Sequence, residues 1–202
     1  MPQPLVRDPK NNQAFPHWSR DGRYLVYYLF DPNATPENRD LWYLNMIGDR
    51  VPQPFLTTAA NEFAPRLSPD SRYVVYISDK TGHNEVYVRP FPEGEGEWPI
   101  SVNGGAYPQW NGDGSELYYV QNNTLMAVDI KTHPAFDAGT PNPLFTGDQV
   151  GSLLADERFG NLASYYAAAQ DGQRFVIVQN TVVGDADVVV VQNWIREFPG
   201  RE

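Results

Sequence analysis

The chain has 202 residues, a formal net charge of −10 and no cysteine. Disulfide staples and thiolate metal centres are therefore excluded, and the 15 Lys and Arg form no basic stripe for a nucleic-acid duplex or an anionic membrane. Hydrophobic residues at 41%, aromatics at 13%, 16 glycines and 18 prolines favour an all-β protein with a substantial core.

The first residues, "MPQPLVRDPKNNQA", carry no apolar run and do not read as a signal peptide. The longest apolar run, "VVVV" at 188–191, is too short to span a bilayer. From there on the chain is organised as a repeat. "FPHWS" precedes Asp21, "APRLS" precedes Asp70, "YPQWN" precedes Asp113 and "YYAAA" precedes Asp171. The aspartates lie 49, 43 and 58 residues apart, a period that fits one four-stranded propeller blade.

Each repeat reads as strand A, a tight turn at the aspartate, and then the most apolar strand, B: "RYLVYYLF", "RYVVYIS", "ELYYV" and "RFVIV". Strand C comes next as "RDLWYLNM", "NEVYVRPF", "NTLMAVDI" and "DVVVVQNWI", and strand D as "QPFLTT", "WPISV" and "NPLFTG". Strand B lacks polar alternation: Tyr73, Val75 and Ile77 point one way, Val74 and Tyr76 the other. Both of its faces are predicted to be buried, which radially arranged sheets provide. The fourth repeat has no strand D. The segment "QPLVRDPKNNQ" near the N-terminus matches "QPFLTTAANEF" at 53–63, so residues 3–9 are predicted to complete the last blade against 187–194.

Each turn aspartate stands alone, without a cluster of oxygen donors. It is predicted to accept backbone N–H bonds while the next residue takes positive φ. Ser71 stands where the other turns have glycine. Ser19, Ser68 and Ser115 flank these turns, yet "GDGSE" at 112–116 lacks the second glycine of a nucleophile elbow and opens a strand. His17, His83 and His133 fall in a strand A, a B–C loop and a C–D loop, too dispersed for a triad or a metal cage.

Four residues before the turn aspartates stand His17, Arg66, Gln109 and Ala167; three before stand Trp18, Leu67, Trp110 and Ala168. The alternation predicts a polar set lining a central channel and an apolar set packed between blades. In "ANEFAPR", Glu62 and Arg66 are expected to bracket the channel entrance, on the face that carries the D–A and B–C loops. The predicted ligand-binding residues are thus His17, Glu62, Arg66, His83 and Gln109, with no catalytic residue, metal ligand or cofactor. The insertion "GDQVGSLLADERFGNLA" at 147–163 falls in a D–A connection, and its "LLADERF" reads as a short helical turn over that face.

"SPDSRYVVYISDKTGHNEVYVRPFP" resembles the repeat of TolB-type, WD40-like β-propellers, and more narrowly the C-terminal propellers of bacterial serine/threonine protein kinases. The pattern "SPDG", "S-x-x-x-G-x-x-E-V-Y-V-x-P-F" and "P-x-W-x-x-D-G-x-E-L-x-Y" maps in order to 68–71, 78–91 and 108–119, with "VVVVQNW" at 188–194 as a matching close. Ser71 departs from the pattern, and no kinase signature is present. The resemblance implies a sensing or protein-binding platform in a periplasmic or extracytoplasmic setting.

The predicted fold is an all-β propeller of four four-stranded blades in a single domain, 1–202. The blades fall near 15–59, 63–104, 106–148 and 163–198 plus 3–9. The ring closes within one chain, or by edge-strand exchange as a larger ring in a homodimer, or the chain is a slice of a longer propeller. The expected function is non-catalytic binding of a protein or peptide at the D–A/B–C loop face, without nucleic acid or membrane insertion. The alternative is a hydrolase or lyase at the channel mouth, with Glu62, His17 or His83 as acid–base groups.

Overall fold

The computed structural model describes residues 5, 6, 8–34, 37–154, 164–180 and 186–192, with side chains as far as 178. Among them the only helix is a single 3-10 turn, Asp148–Val150; none is long and apolar enough to cross a membrane. Two compact units divide the chain, residues 1–98 and 99–202.

The first unit begins with β1 (Asn12–Trp18), β2 (Tyr24–Phe30), β3 (Arg39–Asn45) and β4 (Gln53–Leu56), an antiparallel sheet in chain order. A second sheet has the same order: β5 (Glu62–Leu67), β6 (Tyr73–Ser78), β7 (Glu85–Pro90) and the short β8 (Trp98–Pro99). The apolar run of β6 is buried from Val74 to Ser78, and that of β2 from Leu25 to Leu29, so both faces of each second strand are covered. Phe63 meets Tyr28 with ring centroids 6.4 Å apart, and Phe91 sits 5.0 Å from Tyr24, 5.1 Å from Tyr43 and 5.4 Å from Phe55. These edge-on and tilted rings lock the second sheet onto the first.

The second unit holds β9 (Ala106–Trp110), β10 (Glu116–Gln121), β11 (Thr124–Lys131), β12 (Asp137–Ala138) and β13 (Asn142–Thr146) in one sheet. Its fourth strand is in two pieces: β12 pairs with Ile130 and Lys131, and β13 with Thr124–Ala127. The other sheet contains β14 (Tyr166–Ala168), β15 (Arg174–Asn180) and β16 (Ala186–Gln192), with β15 and β16 in register along their whole length. Phe175 packs edge-on against Tyr118 at 5.1 Å and Phe145 at 5.7 Å, at the centre of this unit's core.

The repeated turn has one geometry. The residue after each aspartate has positive φ: Gly22 at 70°, Ser71 at 59°, Gly114 at 81° and Gly172 at 67°. Each carboxylate accepts the backbone N–H two residues on, from Arg23, Arg72, Ser115 and Gln173. In the first two turns the preceding serine completes a box. Ser19 Oγ donates to Asp21 and accepts from Tyr24 N, and Ser68 Oγ does the same with Asp70 and Tyr73. The Ser19 hydroxyl is the main reason that the Asp21 carboxyl stays below the usual carboxylate range.

Three first strands carry a bulge that the plain alternation of the sequence does not predict. Phe15, Ala64 and Tyr107, each six residues before its turn aspartate, have φ of 51°, 53° and 56°, and each of these strands shifts register against its neighbour there. A proline comes after each: Pro16, Pro65 and Pro108. Lacking an N–H, proline suits a break in the ladder, and the fourth repeat has Tyr166 in its place and no such bulge.

Other expectations fare differently. Leu67 is buried, whereas Trp18, expected to pack likewise, is 50% exposed, because β5 packs on β1 from one side and Trp18 lies on the other face of the strand. The predicted strand at 3–9 and its partner at 187–194 lie partly outside the described residues, as does most of the predicted turn "LLADERF".

Candidate functional site

Two connections of the first unit meet over the ends of its second sheet: residues 57–61, between β4 and β5, and residues 79–84, between β6 and β7. One side-chain pair ties them. Asp79 accepts from Asn61 N at 2.8 Å and from Asn61 Nδ2 at 2.7 Å, and Asp79 N donates back to Asn61 O at 3.3 Å. Register puts Glu62 opposite Ser78, Ser78 opposite Glu85, and Tyr76 opposite Tyr87. Directly opposed residues share a sheet face, so Glu62, Tyr76, Ser78, Tyr87 and Arg89 all lie on one.

That face and the two connections enclose a cavity of about 640 Å³, walled by Leu56, Ala59, Glu62, Tyr76, Lys80, Arg89 and Glu97 among others. Glu62 forms its floor at 1% exposure. Its Oε1 accepts from Thr58 Oγ1 at 2.6 Å and Ser78 Oγ at 3.4 Å, while Oε2 is buried without a partner. Burial pushes the Glu62 carboxyl above the usual range; the Thr58 hydroxyl opposes the shift, and the negative charges of Asp40 and Asp79 add to it. On the facing wall, Glu97 accepts from Tyr76 Oη at 2.5 Å and pairs with Lys80 Nζ, with Arg89 Nη1 4.0 Å away. Lys80 Nζ also lies 3.7 Å above the Tyr87 ring, and burial lowers its pKa. Two more buried atoms beside the cavity lack partners: Asn61 Oδ1, an acceptor, and Arg89 Nε, a donor.

Of the five residues predicted to bind ligand, four lie in the first unit, and only His17 and Arg66 among these share a cavity. Glu62 is at this cavity, as a buried floor rather than an exposed rim. His83, in the 79–84 connection, pairs through Nε2 with Glu85 Oε1 at 2.7 Å. His17 and Arg66 flank a separate cavity of about 60 Å³ with Phe15, Pro16, Ala64 and Pro65. There, His17 Nδ1 accepts from Leu67 N at 3.2 Å, and burial, then the Arg66 charge, lowers the imidazole pKa to about 4. Gln109 belongs to the second unit: its Nε2 donates to Tyr166 O at 2.9 Å, and its Oε1 accepts from Ala168 N at 3.2 Å. His17 and Gln109 thus do the same thing, joining one first strand to the backbone of the next. No hydrogen bond links Glu62, His17 and His83 to one another, and among the described residues no group of three or more His, Asp or Glu side chains is placed to hold a metal ion.

Thr58, Asn61, Lys80, Arg89 and Glu97 are not singled out by the sequence patterns, and Tyr76 is marked there only as a buried strand residue. The available signal was polar residues, "TTAANE" and "SDK", bounding two strands that are otherwise apolar. The cavity holds a sequestered carboxyl oxygen, and its two cations are grouped around Glu97.

No family model matches the chain, and no curated protein matches it in sequence. Solved structures do. TolB from Acinetobacter baumannii superposes with a TM-score of 0.66 at 17% identity, over 95% of this chain and 43% of that one. A TolB structure from Agrobacterium tumefaciens gives 0.62 at 18%, over 93% and 60%. A puromycin-hydrolyzing peptidase from Mycobacterium tuberculosis gives 0.61 at 16%, over 90% and 30%. The chain therefore spans less than two thirds of each of these structures. Its fold is that of a TolB-like β-propeller.

Proposed function

We propose that this chain is a non-catalytic binding propeller that takes a protein or peptide segment at the face carrying the connections 57–61 and 79–84. The observation behind this reading is the cavity between them, whose floor is a buried carboxyl with one oxygen unsatisfied. A buried polar atom without a partner carries a desolvation penalty, which a ligand's hydrogen bond offsets. The Asn61–Asp79 tie holds both connections in place before binding, so the backbone has little to rearrange. No hydrogen bond links Glu62, His17 and His83, the groups that the hydrolase or lyase reading requires to act together, which favours binding over chemistry.

On the same reading, residues 1–202 form one propeller with blades near 15–59, 63–104, 106–148 and 163–198. Residues 3–9 complete the last blade, in the same chain or across a dimer. The binding claim is tested with a peptide array probed by the wild-type chain and by an Asn61→Ala/Asp79→Ala variant, which unties the two connections. Sequence-selective spots should appear with wild type and fade with the variant; an array without selective spots refutes the reading.

A further inference from the structure

The cavity also carries an argument about what enters it. Among its lining residues two buried atoms lack partners, an acceptor at the floor, Glu62 Oε2, and a donor, Arg89 Nε. The charges lean negative: Glu62, Asp79 and Glu97 face Lys80 and Arg89. Both cations are turned towards Glu97, through the Lys80 ion pair and the 4.0 Å approach of Arg89, so an incoming anion would have to compete with a carboxylate already in place. An incoming cation finds Glu62 Oε2 without a hydrogen-bond partner and meets there the Lys80 ammonium, which already feels the Glu62 charge. Asp40, on β3, adds a negative charge near Glu62, and its own carboxyl is raised by burial. The walls beyond the floor include Leu56, Ala59, Ala60 and the Tyr76 ring, suited to an alkyl stem that ends in a charge. The whole chain, at −10, attracts basic partners over longer range.

We propose that the cavity recognises a positively charged side chain of the bound peptide, a lysine ammonium or arginine guanidinium whose N–H groups donate to Glu62 Oε2 while its alkyl stem lies between Leu56 and Tyr76. This rests on the peptide-binding reading above and assigns the chemistry of the group at its centre. Lys80, whose side chain is 36% exposed at the rim, is then the site's own cation, which the ligand's cation must tolerate.

The test is isothermal titration of the full chain at fixed ionic strength with four capped tetrapeptides, identical but for a central lysine, arginine, glutamate or norleucine, and separately with butylammonium chloride. The lysine and arginine peptides should bind, and the other two should be weaker by about tenfold or more, the worth of one buried charged hydrogen bond. Glu62→Gln should weaken the lysine peptide by a similar factor. Lys80→Met, a change at a partly exposed position, should strengthen it, which gives a second reading should the Glu62 variant melt poorly. A glutamate peptide binding as well as the lysine peptide overturns the cation assignment and leaves peptide binding standing. So does lysine-peptide binding indifferent to both variants. Butylammonium binding that depends on Glu62, with all four peptides silent, keeps the cation site and overturns the peptide reading. Silence from every probe overturns both.

Discussion

Ser71 holds φ at 59°, a conformation that costs a side-chain-bearing residue about 1 kcal/mol, while the other three turns have glycine there. Ser71→Gly should therefore raise stability by about 1 kcal/mol, or roughly 2–4 °C in the melting midpoint of a chain this size. A lower midpoint would overturn the turn assignment. This geometry was legible in the sequence because all its parts are local: Ser68, Asp70, Arg72 and Tyr73 make every hydrogen bond of the box within six residues. Glu62 was legible as a residue of interest but not as a buried one. Its burial depends on residues 57–61 and 79–84 closing over it, through a bond between Asn61 and Asp79 that no local pattern announces.

At the scale of strands, the polar positions of the first strands read as ligand contacts, yet His17 and Gln109 spend their hydrogen bonds on the neighbouring sheet. The partner of His17 is 50 residues away in the chain and those of Gln109 are 57 and 59 away, so sequence alternation could mark these positions as inward and polar but could not tell strut from ligand contact. Gln109→Ala should cost about 1–2 kcal/mol by leaving the Ala168 amide without its acceptor. Native-state hydrogen exchange should show the loss of protection centred on Ala168; unchanged protection there would remove Gln109 from this role. The proline bulges were legible in principle, since Pro16, Pro65 and Pro108 recur at one offset from the turn aspartates. The polar–apolar alternation that follows each proline is that of a plain strand, which masks the break.

For the molecule as a whole, the all-β propeller class came from the repeat alone, because a doubly apolar strand B in every repeat demands neighbours on both sides. Whether the ring closes, and how, did not, since a slice of a longer propeller carries the same repeat, and the proposed closures in one chain and between two would use the same pairing of residues 3–9. Removal of residues 1–10 distinguishes them by solution mass. An exchanged strand predicts a dimer that falls to a monomer on truncation, whereas closure in one chain predicts a monomer throughout with a lowered melting midpoint. A dimer of unaltered mass after truncation would argue against exchange. The bulged first strands have a bearing on solubility too. β1, β5 and β9 are the edge strands of their sheets, and each carries a proline and a left-handed kink, which deny a straight hydrogen-bonding edge to any stray extended chain. In the fourth sheet, β14 occupies the same edge without either device, so under partial unfolding aggregation should begin there.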